Sequence, residues 1–195
     1  MSNDKKAIDR LFKLQTQINT LVMGGSRDAE SISDLLQKVL EEKKQYLRHL
    51  ETVTLRATSR EITLAQASDV FTGWVDSDFK NWSTDVPGQD TDEADVAVYE
   101  MVHDGTYQTL LSSLGEFDQL CLSQGQIKRF CQDHFEYLRQ GGYGTFFPFK
   151  VKQKRYVASV HAGGDRLGVY LYRFGRVRVW RAVCRHRVVV QQQIT

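Results

Sequence analysis

The sequence predicts an α+β fold: a helical hairpin over residues 1–50, then a domain over 51–195 with a mixed middle segment and a C-terminal antiparallel sheet of about five strands packed on a helix. Three observations predict it. In the first fifty positions, apolar residues recur at three- and four-residue steps, the spacing of an amphipathic helix. From Thr145 onward they come in short runs with tight turns between them, which suits strands joined to antiparallel neighbours. Helices grouped before strands, rather than alternating with them, indicate α+β.

The elements follow in order. Asp4 to Met23 reads as a helix with Ile8, Leu11, Ile18 and Val22 on one side. Gly24-Gly25 closes it, and Ser26 can cap a second helix from about Arg27 to Leu47 with Ile32, Leu35, Leu36, Val39, Leu40 and Leu47 as its stripe. So short a turn predicts an antiparallel hairpin, either packed on the domain or serving as a homodimer arm. Thr52 to Ala57 alternates, and with Ile62-Thr63-Leu64 across a Ser59-Arg60 turn it predicts a β-hairpin. Residues 69–95 form an acidic loop; its aromatics Phe71, Trp74, Phe79 and Trp82 are expected to anchor it. A strand is predicted at Val96–Val102 and a short helix at Gly105–Leu114. Ser123-Gln124-Gly125-Gln126 is a capping box opening a helix with Ile127, Phe130, Phe135 and Leu138 on its apolar side. Five strands close the chain: 145–151, 155–161, 167–173, 176–181 and 183–190, so the basic sheet spans 144–190.

With 195 residues, 41% hydrophobic and 26% charged, the chain has the composition of a globular protein and no apolar run long enough to span a membrane. Nothing at the N-terminus reads as a secretory signal, and three widely spaced cysteines make no disulfide framework; the expected setting is cytoplasmic. The net charge of +2 hides an asymmetry. Residues 151–195 hold ten Lys or Arg against Asp165, hence +9, which leaves −7 on the other 150. Residues 75–105 hold nine acids against Lys80. A basic end and an acidic middle suit either a polyanionic partner or docking of one on the other.

The segments "DVFTGWVDSDFKNW", "VAVYEMVHDGTY", "LCLSQGQIKRFC" and "HRVVV" resemble an uncharacterised group of bacterial hypothetical proteins from candidate-phylum genomes. The resemblance spans most of the chain after the first helix and departs at Cys184 and at the terminal "QQQIT". It implies a recurring domain of bacterial or phage-related source and attaches no activity to it.

The strongest chemical signal is "RFGRVRVWRAVCRHRVVV", residues 173–190, with six arginines, one histidine and no acid. Strand alternation would put Arg176, Arg178 and Trp180 on one face, group Arg185 with Arg187, and set Tyr170 with Tyr172. With Arg173 and Arg181, these residues are the candidate nucleic-acid contacts: guanidinium for phosphate, aromatic ring for unpaired base. An acidic protein surface is the other partner such a face would take. Cys131, His134, Cys184 and His186 are a conceivable zinc set, but the spacing matches no known knuckle, so no metal or other cofactor is expected. Asp76, Asp78 and Asn81, or Asp90, Asp92 and Asp95, could offer oxygens to calcium or magnesium, yet neither has the EF-hand pattern. Glu100, His103 and Asp104 could form an acid–base site, but any chain of this size offers such sets, and no motif assigns catalysis to any residue. The expectation is therefore a non-enzymatic binding protein whose basic C-terminal sheet contacts a polyanion. The alternatives are an interaction module or phage-type inhibitor acting through the hairpin or the acidic loop, and an enzyme without a recognisable motif.

Overall fold

A computed structural model describes residues 45–60 and 62–192, with Lys13, Thr16 and Thr20 before them. Those three are helical; of the rest of the hairpin expected over 1–50 only residues 45–50 are described, and there Leu47 opens a strand instead of ending the second helix, while the remainder lies outside the described residues. The chain divides into two units, Met1–Lys44 and Gln45–Thr195, and the second is described here.

Its frame is one mixed sheet. The described strands are β1 (Leu47–Leu55), β2 (Trp74–Val75), β3 (Ala94–Met101), β4 (Gly144–Val151), β5 (Lys154–Gly163), β6 (Arg166–Arg173) and β7 (Arg187–Gln191). They lie in the order β1-β3-β7-β4-β5-β6-β2. Four short helices accompany them: α1 (Asp78–Asn81), α2 (Tyr107–Ser112), α3 (Phe117–Leu120) and α4 (Gln124–Asp133).

This corrects the expected five-stranded antiparallel sheet in three ways. First, β7 is inserted between β3, to which it is antiparallel, and β4, to which it is parallel. The reason is readable in Val188-Val189-Val190, which are all buried. A continuous apolar run needs cover on both faces, and only a central strand has it. Second, residues 176–181 are not a strand. Their alternation is real, but Val177 is 87% exposed and Val179 56% exposed, so no layer covers the face they would share. Third, β1 pairs with β3 rather than with 62–64. Leu64–Gln66 is instead a 3₁₀ turn, held by the buried Gln124, whose Oε1 accepts from Leu64 N at 2.9 Å and whose Nε2 donates to Thr84 O at 3.0 Å.

The sheet is covered on both faces. On the first, Leu55, Val96, Val98, Phe147, Phe149, Ala158, Val160 and Val189 meet Ile127 and Phe130 of α4 with Phe71 and Phe79 of the acidic loop. On the second, Leu47, Ala97, Met101, Phe146, Val157, Val188 and Val190 meet Tyr107 and Leu110 of α2, Phe117 and Leu120 of α3, and Trp180. The capping box forms as expected: Gln126 N donates to Ser123 Oγ and Ser123 N donates to Gln126 Oε1. The helix ends at Asp133, short of the expected Phe135 and Leu138: Phe135 lies in a 3₁₀ turn with 37% of its surface exposed, and Leu138, just past that turn, is buried. In the acidic loop Phe71 and Phe79 are buried anchors, whereas Trp74 is 54% exposed.

Candidate nucleic-acid interface

The basic segment leaves β6 at Arg173 and turns at once, with Arg176 N donating to Arg173 O at 3.1 Å. It then crosses the second face without strand partners until Trp180, which exchanges two backbone hydrogen bonds with Gly105 at 2.8 and 3.1 Å. Ala182 N donates to Asp104 Oδ1 at 2.7 Å, a 3₁₀ turn follows at Ala182–Cys184, and Arg185 takes a left-handed conformation (φ 50°) that redirects the chain into β7. The whole segment is thus a cap over the sheet, pinned at a few points.

Trp180 is the main pin. Only 5% exposed, its ring lies 4.8 Å from that of Phe146, 5.2 Å from Tyr107, 5.2 Å from His186 and 5.8 Å from Tyr172, centre to centre. It is a core residue and offers no face to a ligand. Arg187 is also turned inward. It is half-buried, and its Nη1 donates to the carbonyls of Glu136 (3.2 Å) and Leu138 (3.4 Å). Burial holds its pKa below the ordinary arginine value.

The other five arginines face outward. Arg173, Arg176, Arg178, Arg181 and Arg185 are all exposed, and among the described residues none of them sits in a salt bridge. Three lie over aromatic rings: Arg176 over Tyr172 at 4.6 Å, Arg178 over Trp180 at 4.5 Å and Arg173 over Trp82 at 4.9 Å. Such contacts restrain a long side chain while leaving its N–H groups outward. Tyr170 is 36% exposed with its ring edge-on to His161 at 5.1 Å, and Tyr172 is half-buried.

The acids of the middle segment are engaged elsewhere. Asp76 accepts from the backbone N–H of Asp78 (3.0 Å) and of Leu171 (3.1 Å). Asp90 accepts from Arg60 N at 2.7 Å, and Asp95 from Thr54 Oγ1 at 2.6 Å. Among the described residues no group of three or more His, Cys, Asp or Glu is placed to hold a metal ion, so Asp90, Asp92 and Asp95 do not converge. The zinc set does not converge either. Cys131 is buried, its thiol pushed far up by desolvation; His134 Nε2 lies 3.3 Å from Thr54 O; His186 Nδ1 accepts from Gly144 N at 3.1 Å. The acid–base grouping is dispersed: Glu100 pairs with Arg48 at 2.7 Å, His103 meets Tyr46 edge-on, and Asp104 holds Ala182.

Two exposed residues on the same sheet face were not among the expected contacts, Trp74 and Arg166. Trp74 was expected as a buried anchor. Its two-residue strand is too short for any period to reveal, although the glycine before it was a hint of close backbone approach. No helix among the described residues is long and apolar enough to cross a membrane. No family model, curated protein or solved structure matches the chain.

Proposed function

We propose that the outward arginines of residues 173–185 bind a polyanion and that this polyanion is nucleic acid, in a reducing, cytoplasmic setting. One observation carries the reading. Five exposed arginines have no salt-bridge partner among the described residues, while Asp76, Asp90 and Asp95 of the middle segment accept from backbone N–H groups or a neutral hydroxyl and Glu100 pairs with Arg48. The charge asymmetry is therefore not consumed by internal pairing. A cluster of unpaired guanidinium groups is the electrostatic footprint of phosphate binding.

The test is titration of the protein with heparin and with an oligonucleotide at several salt concentrations. Replacing Arg176 and Arg178 by Ala should weaken both and reduce the salt slope by about two, one for each lost phosphate contact. Unchanged affinity in the double variant would remove the proposal.

A second reading has its own observation. Val177, Val179 and Val183 are exposed by 87%, 56% and 80% among the arginines. Apolar tips between cations also suit an acidic protein surface with apolar pockets. Binding that survives high salt would favour this reading. The stripes in residues 1–50 would let two copies act together; a monomer by light scattering of the intact chain removes the dimer.

A further inference from the structure

We propose that Trp74 and Tyr170 form a stacking platform for unpaired bases, which makes the ligand single-stranded nucleic acid rather than duplex. The proposal rests on the nucleic-acid reading above and deepens it. Its basis is the edge of the sheet at β2 and β6. There Trp74 pairs in parallel register with Gly168, and Gly168 lies opposite His161 of β5. The backbone on either side of Trp74 is fixed: Gly73 N donates to Leu167 O and Asp76 N to Val169 O, both at 2.9 Å. A Cβ built on Gly168 would lie 3.4 Å from Trp74 Cβ, so the indole leaves the sheet on the face Gly168 presents. By alternation along β6, Arg166, Tyr170 and Tyr172 present the same face.

The result is an indole standing over a glycine, with Arg166 on one side along the strand and Tyr170 on the other. Tyr170 is braced edge-on by His161. Trp74 is 54% exposed and Tyr170 36% exposed, although large aromatics normally earn stability by burial. An exposed indole on a fixed backbone has ring surface to offer. The surroundings name what takes it. Arg166 is exposed and in no salt bridge among the described residues, and Arg176 lies over Tyr172, the next aromatic on this face. Asp76, two residues from Trp74, has both carboxylate oxygens occupied by backbone N–H groups. Stackable rings within a cationic rim match the alternation of base and phosphate in a single strand. In a duplex the base faces are hidden in the stack, and this platform would have nothing to grip.

The experiment compares single-stranded oligo-dT, duplex DNA of the same length and heparin, which has the charge and no bases. Trp74→Ala should weaken oligo-dT binding by about 5- to 150-fold, the range for losing one stacked base. It should leave heparin affinity and the salt slope unchanged, because no phosphate contact is lost. Trp74→Phe should retain most of the affinity, and Tyr170→Ala should repeat the loss. Thermal melts check folding; if Trp74→Ala does not fold, the other two variants decide. Equal oligo-dT affinity in parent and variants, or duplex bound as tightly as single strand, overturns the platform while leaving the arginine reading intact. Failure of the parent to bind either oligo-dT or heparin overturns both.

Discussion

The two faces of the sheet are buried by different means. On the first, the helix α4 and the loop aromatics lay aliphatic and phenyl groups over the strands, and the polar side of α4 faces outward by its own period. On the second, part of the cover is the irregular segment 174–186, which reaches the core through Trp180 and His186. A helix separates inward from outward residues automatically. An irregular segment does not, and here it leaves Arg178 and Val179, neighbours in sequence, both exposed. The second face therefore combines core burial with display of charge. It buries an imidazole, and it buries Trp180 Nε1 with no hydrogen-bond partner among the described residues.

Substitutions can break that contrast. The largest expected effect belongs to the first face. Phe147 is fully buried against Phe130, and Phe147→Ala should cost about 3–5 kcal/mol by denaturant unfolding. Next is Gly144, under the second face, where a Cβ would lie 2.6 Å from Phe146 Cε1 and 2.7 Å from Ser159 Oγ. Gly144→Ala should cost about 1–3 kcal/mol through overpacking. Trp180→Phe should cost less than about 1 kcal/mol, because losing an indole N–H that has no hydrogen-bond partner among the described residues offsets part of the lost packing. A loss as large as that of Phe147→Ala would show the two faces to be equally well packed.

The buried imidazole adds a pH test. Desolvation lowers the His186 pKa to about 4; the Gly144 carbonyl, 3.3 Å from Nδ1 and able to accept from the protonated ring, opposes this, and His161, Arg139 and Arg178 add to it. The folded state then binds fewer protons than the unfolded state, whose His titrates near 6.5. Stability should accordingly fall as pH drops from about 6.5 towards about 4, with His161, also lowered by burial, contributing in the same direction. His186→Asn keeps an acceptor for Gly144 N and cannot titrate. Its melting temperature should depend less on pH over that window; an unchanged slope would remove His186 as a cause. The smallest effect is expected from the exposed segment: Arg176→Ala with Arg178→Ala should change stability by within about 0.5 kcal/mol.

Sequence periodicity revealed what depended on local rules. The Ser123 capping box, the strands near 96–101 and 144–173 and the short helix after Gly105 all emerged close to their expected bounds. Long-range pairing did not. Nothing near Thr52–Ala57 says that its partner is Ala94–Met101 rather than 62–64. The arginine alternation at 176–181 read as a strand because the pattern carries no information about whether a layer exists to cover Val177 and Val179. For the candidate interface, charge was legible and exposure was not. Five of the six arginines face out, but Trp180 and Arg187 are turned inward, and Trp74 emerges only from the pairing of a two-residue strand with β6.

The position of β7 has a consequence for how the protein is made. Two half-sheets, β1-β3 on one side and β4-β5-β6-β2 on the other, are joined in the hydrogen-bond ladder only through this strand. Residues 187–191 follow the strands of both halves in the chain, so until β7 docks each half offers an unpaired edge to any neighbour. That exposure ends when Val188, Val189 and Val190 insert between β3 and β4. A chaperone or a bound ligand present at that moment would decide how many chains close the sheet rather than join one another.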